Sequence, residues 1–158
     1  MNRPVLLGAL IAAFAVAGGS PLLAAEAQPW PWKSKLPPDP ALVVLTSVED
    51  VTAAITKSDP PTVTITVNAS APTPNYSELQ LTPRMGDPKD LIFAFDAKGR
   101  PPQDLSTQVI TPVSFTVEYA DAPIEKVGVV EVNAQEGCKA FSLTENKAVP
   151  CTSLSAPQ

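Results

Sequence analysis

The sequence predicts an all-β protein: an immunoglobulin-like β-sandwich of about seven strands, entered through an extended Pro-rich N-terminal arm. Three observations carry this expectation. Short segments in which apolar and polar residues alternate recur from residue 41 onward, with the two-residue period of a strand buried on one face. Turn-forming clusters separate them at Ser58-Asp59-Pro60-Pro61, Ala71-Pro72-Thr73-Pro74-Asn75, Gly86-Asp87-Pro88, Lys98-Gly99-Arg100-Pro101-Pro102 and Ala122-Pro123. Proline is abundant, at 19 of 158 residues, while glycine is scarce at seven. Prolines set between apolar β-type segments punctuate strands and guard sheet edges, so the composition points to a folded β protein.

Residues 1–27 read as a cleavable signal peptide. Arg3 supplies the positive start, Val5 to Ala17 form an apolar run broken only by Gly8, and Gly18-Gly19-Ser20-Pro21 end it. Ala25-Glu26-Ala27 then has the Ala-x-Ala form of a cleavage site. The apolar run is shorter than the roughly 20 residues a spanning helix needs, so no transmembrane segment is expected after cleavage. No cysteine lies near the cleavage point to carry a lipid. A periplasmic or secreted location follows.

Residues 28–41 form the arm, with Pro29, Pro31, Pro37, Pro38 and Pro40 each fixing their own φ and pushing the preceding residue toward extended backbone. The sandwich domain is assigned to residues 42–158. Ala41 to Leu45 is a continuous apolar run. Residues 48–57 fit two patterns: Ser47-Val48-Glu49-Asp50 has the form of a helix start, with Val48, Val51 and Ile55 on one helical face, yet Val51, Ala53 and Ile55 also alternate as in a strand. The surrounding strands favour the second. Thr62 to Ala69 is the clearest strand, with Val63, Ile65, Val67 and Ala69 opposing Thr62, Thr64, Thr66 and Asn68. Ser77 to Leu81 puts Leu79 and Leu81 on one face, and Leu91 to Phe95, apolar on both faces, should be central. Val113, Phe115, Val117 and Tyr119 alternate with Ser114, Thr116 and Glu118. Val127 and Val129 lie in one phase and Val130 and Val132 in the other, which calls for either a strand buried on both faces or a bulge near Val129. Ala140 to Leu143 closes the set.

Cys138 and Cys151 are an even pair in an exported chain, where oxidation is the default, and are expected to form a disulfide. A redox dithiol would usually sit two residues apart, and two sulfurs alone do not make a metal site.

The composition excludes several functions. The net charge is −5, with no basic run, so neither nucleic acid nor an anionic lipid surface is an expected partner. Histidine is absent. Without imidazole there is no copper site of the type exported β-sandwiches carry, no zinc hydrolase centre, and no His-dependent Ser or Cys nucleophile. No cofactor is expected. What remains for catalysis is a Ser–Lys pair or carboxylates: Asp87, Asp90 and Asp96, or Glu118, Asp121 and Glu125, which read more simply as loop-end charge. Gly86-Asp87-Pro88-Lys89-Asp90 lacks the density of carboxylates of a calcium loop. Two Asn-x-Ser sequons, at Asn68 and Asn75, are incidental.

Trp30-Pro31-Trp32 is the feature to watch. Two tryptophans on a stiff arm suit an anchor for a partner surface; alternatively the rings fold back and cover an end of the sandwich. The expectation is a non-catalytic binding or accessory module that contacts another envelope or extracellular protein. An exported inhibitor of a hydrolase, presenting the arm or the Lys98 to Pro102 stretch, is the alternative, and a carboxylate enzyme is the third reading.

Overall fold

The computed structural model describes residues 27–33, 39–84, 91–104 and 107–152. The expected signal peptide up to residue 26, the Gly86-to-Asp90 stretch and the last six residues lie outside them. Among the described residues there is no α-helix, and ten strands follow in chain order: β1 (Gln28–Pro29), β2 (Val43–Val44), β3 (Ser47–Thr56), β4 (Thr62–Ala71), β5 (Ser77–Pro83), β6 (Ile92–Arg100), β7 (Thr111–Ala120), β8 (Val129–Ala134), β9 (Gly137–Ser142) and β10 (Lys147–Val149). They form two sheets. One has the order β1-β7-β4-β3; the other runs β10-β9-β8-β6-β2, with β5 also paired to β6. The expected count of about seven becomes ten: β2 lies within the apolar run Ala41 to Leu45, while β1 and β10 are ladders of two and three residues that alternation cannot reveal.

The core lies between the sheets. In β4 the alternation does what its chemistry demands: Val63, Ile65 and Val67 have no exposure, while Thr62, Thr64 and Thr66 face outward. β3 is a strand across residues 47–56, and its helix-like spacing has a local cause. Its register against β4 shifts between Val48 and Asp50, so a bulge lets Val48 and Val51, three apart, both point inward. β6 is central, with Phe93, Phe95 and Ala97 buried.

The turn expected over Lys98 to Pro102 is a correction: Lys98, Gly99 and Arg100 continue β6, Gly99 pairing with Val43 and Arg100 with Ser77. Gly99 is there for close approach, since a Cβ would stand 2.8 Å from Leu79 Cδ2 and 3.0 Å from Tyr76 Cδ1. β8 resolves its phase conflict without a bulge. It runs in unbroken register beside β6 and β9, with Val127 lying before the strand. Val130 and Val132 face the core, and Glu131 and Asn133, on the opposite side, are equally buried.

Candidate functional site

The first and last described segments lie back on the sandwich, and each creates a site. At the N-terminal end of the described residues, Gln28 and Pro29 run parallel to β7 opposite Tyr119 and Ala120. The arm then tightens instead of staying extended: Pro31–Lys33 form a 3-10 turn, and the Lys33 amide donates to the Trp30 carbonyl at 2.9 Å. Pro31, with φ fixed near the helical value, suits that turn. The turn drops Trp30 into the core, where it is 2% exposed and packs edge-on to Phe93 and Tyr119 at centroid distances of 5.2 and 5.7 Å. Trp32 stands edge-on to Phe93 at 4.7 Å and to Phe95 at 5.4 Å. Trp30 is thus built into the core, and only Trp32 of the pair keeps a partly exposed face.

Beside these rings opens a pocket of about 420 Å³. Trp30, Trp32 and Phe93 line it on one side and Leu91 and Pro123 on another, while Lys33 and Lys126 supply its only charged side chains. Leu91 is held in the left-handed region at φ 63°, and its carbonyl accepts from the Gly128 and Val129 amides, both at 2.9 Å. The Lys33 ammonium is paired with Asp121, just past the end of β7. Tyr119 donates its hydroxyl to the Leu81 carbonyl at 3.1 Å, and burial raises its pKa above the ordinary phenol value. Nothing in the sequence pattern singled out Leu91, Pro123 or Lys126 as neighbours of the arm.

At the C-terminal end, Cys138 and Cys151 form the expected disulfide, with their Cα atoms 6.4 Å apart. Cys138 pairs in register with Asn133, so the bridge holds the returning tail over the outer face of β8. Under that tail lies Glu131, fully buried: one carboxylate oxygen accepts from the Thr152 amide at 3.1 Å and the other from Asn133 Nδ2 at 3.4 Å. Asn133 Nδ2 also donates to the Phe95 carbonyl at 3.2 Å. The Glu131 carboxylate and the two sulfurs lie within 4.8 Å of one another. With both sulfurs in the disulfide, neither is a thiolate, and the group functions as a satisfied buried carboxylate beside a covalent clasp. Sequence reasoning did not single out Glu131 and Asn133, although Val127 and Val129 share their phase and a strand buried on both faces would place them inward; the cover itself comes from the return of the chain to Cys151.

Asp96 pairs with Arg84 at 2.8 Å; Glu118 and Glu125 are exposed on separate elements; Asp87 and Asp90 lie outside the described residues. Arg100 bridges Asp39 and Glu78, each at 2.7 Å. The Ala41 amide and Arg100 hold the Asp39 carboxyl below its ordinary pKa, and Arg100 does the same for Glu78. No helix among the described residues is long and apolar enough to cross a membrane. No protein family, curated protein or solved structure matches the chain.

Proposed function

We propose that the chain is an exported, non-catalytic binding module, an immunoglobulin-like sandwich that acts by contact with another envelope or extracellular protein, and that the contact is made along the free edge of β7. The observation that carries this reading is the state of that edge. β4 pairs with β7 along all ten residues on one side, whereas on the other side β1 covers only Tyr119 and Ala120 among the described residues. Among the described residues, Thr111 to Glu118 therefore have no ladder partner on that side, and their register against β4 has no shifts. Val109 and Ile110, 55% and 66% exposed, lead into it, and Val113, Phe115 and Val117 on its inner face are only half-buried.

The contrast with the other edges supports the choice. β3, the opposite edge of the same sheet, carries a bulge and the exposed carboxylates Glu49 and Asp50, features that discourage strand addition. β5 is shifted in register and ends at Pro83, and β2 and β10 are too short to template a partner. An extended segment of a partner, with apolar side chains alternating toward Val113, Phe115 and Val117, would extend the sheet and cover its half-buried face.

A photo-reactive residue placed at Ile110, with a control at Thr52 on the β3 edge, tests the reading in the native envelope and culture fluid. Adducts to one defined protein at position 110 and none at 52 are expected, and Val109→Lys together with Val113→Lys should abolish them. Equal adducts at both edges, or none at 110, would refute the edge; reproducible turnover of a substrate by the pure protein would refute a non-catalytic role.

A further inference from the structure

The pocket beneath the arm lies away from the free part of the β7 edge and has a chemistry of its own. Its three aromatic rings, with Leu91 and Pro123, give it apolar walls. Among the described residues its charged lining side chains are the ammonium groups of Lys33 and Lys126, a cationic lining in a chain of net charge −5. Lys33 shares its charge with Asp121, but Lys126, exposed on the turn after Pro123, has no ion-pair partner among the described residues.

We infer that this pocket binds a small aromatic monoanion, its ring against Trp30, Trp32 and Phe93 and its anionic group toward Lys126. The volume of about 420 Å³ falls within the ordinary range for small-molecule sites, which are mostly apolar with a few placed polar groups. Among the described lining residues a cationic ligand would meet two ammonium groups and no carboxylate, and a sugar would find no side-chain acceptor for its hydroxyls. An apolar body with one acidic group matches both features: the walls take the ring, and the charge is neutralised at the mouth.

The chain has two tryptophans, so the two indole N–H signals of the nitrogen-15-labelled protein report the site directly, and Trp32→Phe assigns them. Three probes that share one ring system separate the contributions: 2-naphthoate, 2-naphthylmethanol and 2-naphthylmethylamine. The expected result is saturable binding of 2-naphthoate that moves the Trp30 indole signal, weaker binding of the alcohol, and weakest of the amine. Lys126→Glu, a surface change that should leave the unfolding midpoint in place, is expected to weaken naphthoate binding about tenfold or more while improving the amine. Absence of a saturable shift at millimolar naphthoate, an amine that binds as tightly as the carboxylate, a shift confined to Trp32, or an affinity indifferent to Lys126→Glu would each overturn the assignment.

Discussion

The N-terminal and C-terminal segments solve the same problem by opposite means. Each lies back on the sandwich and covers a face that the strands alone would leave open. The arm does so with apolar rings: Trp30 enters the core among Phe93 and Tyr119, while its own N–H finds no acceptor among the described residues. The tail does so with a covalent bond and polar groups, and there the pairing is complete, with both Glu131 oxygens accepting hydrogen bonds. The difference follows from what each seal buries. Apolar burial is non-directional and scales with area, so it tolerates a gap beside it, and the pocket is that gap. A buried carboxylate tolerates none, because an unsatisfied charge costs far more than a missing van der Waals contact. A binding site is therefore expected beside the aromatic seal, and a rigid closure at the polar one.

The largest effect expected is at the aromatic seal. Trp30→Ala removes a fully buried ring and should lower the stability by about 3–5 kcal/mol in urea unfolding. A loss under about 1 kcal/mol, no more than an average substitution, would mean that the arm merely rests on the sandwich, and the comparison would fail. Next comes the clasp. Cys138→Ser with Cys151→Ser should cost about 3 kcal/mol, the value for a loop of this length. A double-mutant cycle sharpens the point. Glu131→Gln should cost about 2 kcal/mol with the disulfide present, as expected for hydrogen bonds to a charged group. Without the disulfide it should cost little, because water then reaches the carboxylate. Additive losses would show that the tail stays in place without its bond.

These two seals were unequally legible in the sequence. Strand alternation places Val63, Ile65 and Val67 in the core and Thr62, Thr64 and Thr66 outside it, because a period of two is a local property of the chain. The disulfide was legible from compartment and count. Burial by a distant segment was only half legible: Val129 shares the phase of Glu131 and Asn133, which allowed a strand buried on both faces, but the return of Cys151 and Thr152 over Glu131 depends on contacts far apart in the chain. Gly99 misled. Next to two prolines it reads as a turn, whereas its missing Cβ makes room for Tyr76 and Leu79 from the neighbouring strand. The pocket gathers residues from the arm, from the start of β6 and from the turn near residue 124, three places with no common pattern. The edge of β7 was half legible, since its alternation was clear but the absence of a covering strand depends on how little of the arm pairs with it.

A smaller effect is expected where the aromatic seal meets its one buried polar bond. Tyr119 stacks on Phe95 at 5.8 Å, touches Trp30, and donates to the Leu81 carbonyl. Tyr119→Phe keeps the ring and loses the bond, so it should cost about 1 kcal/mol. It should also change the alkaline limb. Because burial raises the folded pKa of Tyr119 above its ordinary 10.0, the group favours folding fully below pH 10, and that contribution is lost as pH rises through the folded value. The wild-type protein should therefore lose stability above pH 10 more steeply than Tyr119→Phe. Parallel curves would place the phenol in contact with water and loosen the seal.

The smallest effect should come from the clamp where the arm joins the sandwich. Arg100 at the end of β6 holds Asp39, at the exit of the arm, and Glu78 in β5. All three groups are exposed enough for water to screen them, so Arg100→Ala should lower the urea midpoint only slightly and by less than Tyr119→Phe. Its pH dependence is the informative part. Both carboxyls titrate below their ordinary values of 3.8 and 4.5, so their contribution is present above about pH 4.5 and is lost as pH falls through the lower folded values. The gap between wild type and Arg100→Ala should narrow as the pH drops from 5 toward 3, and close sooner in high salt. If the gap persists in acid, the guanidinium stem is acting by packing against the sheet, and the arm is held at both of its ends by apolar contact rather than at one.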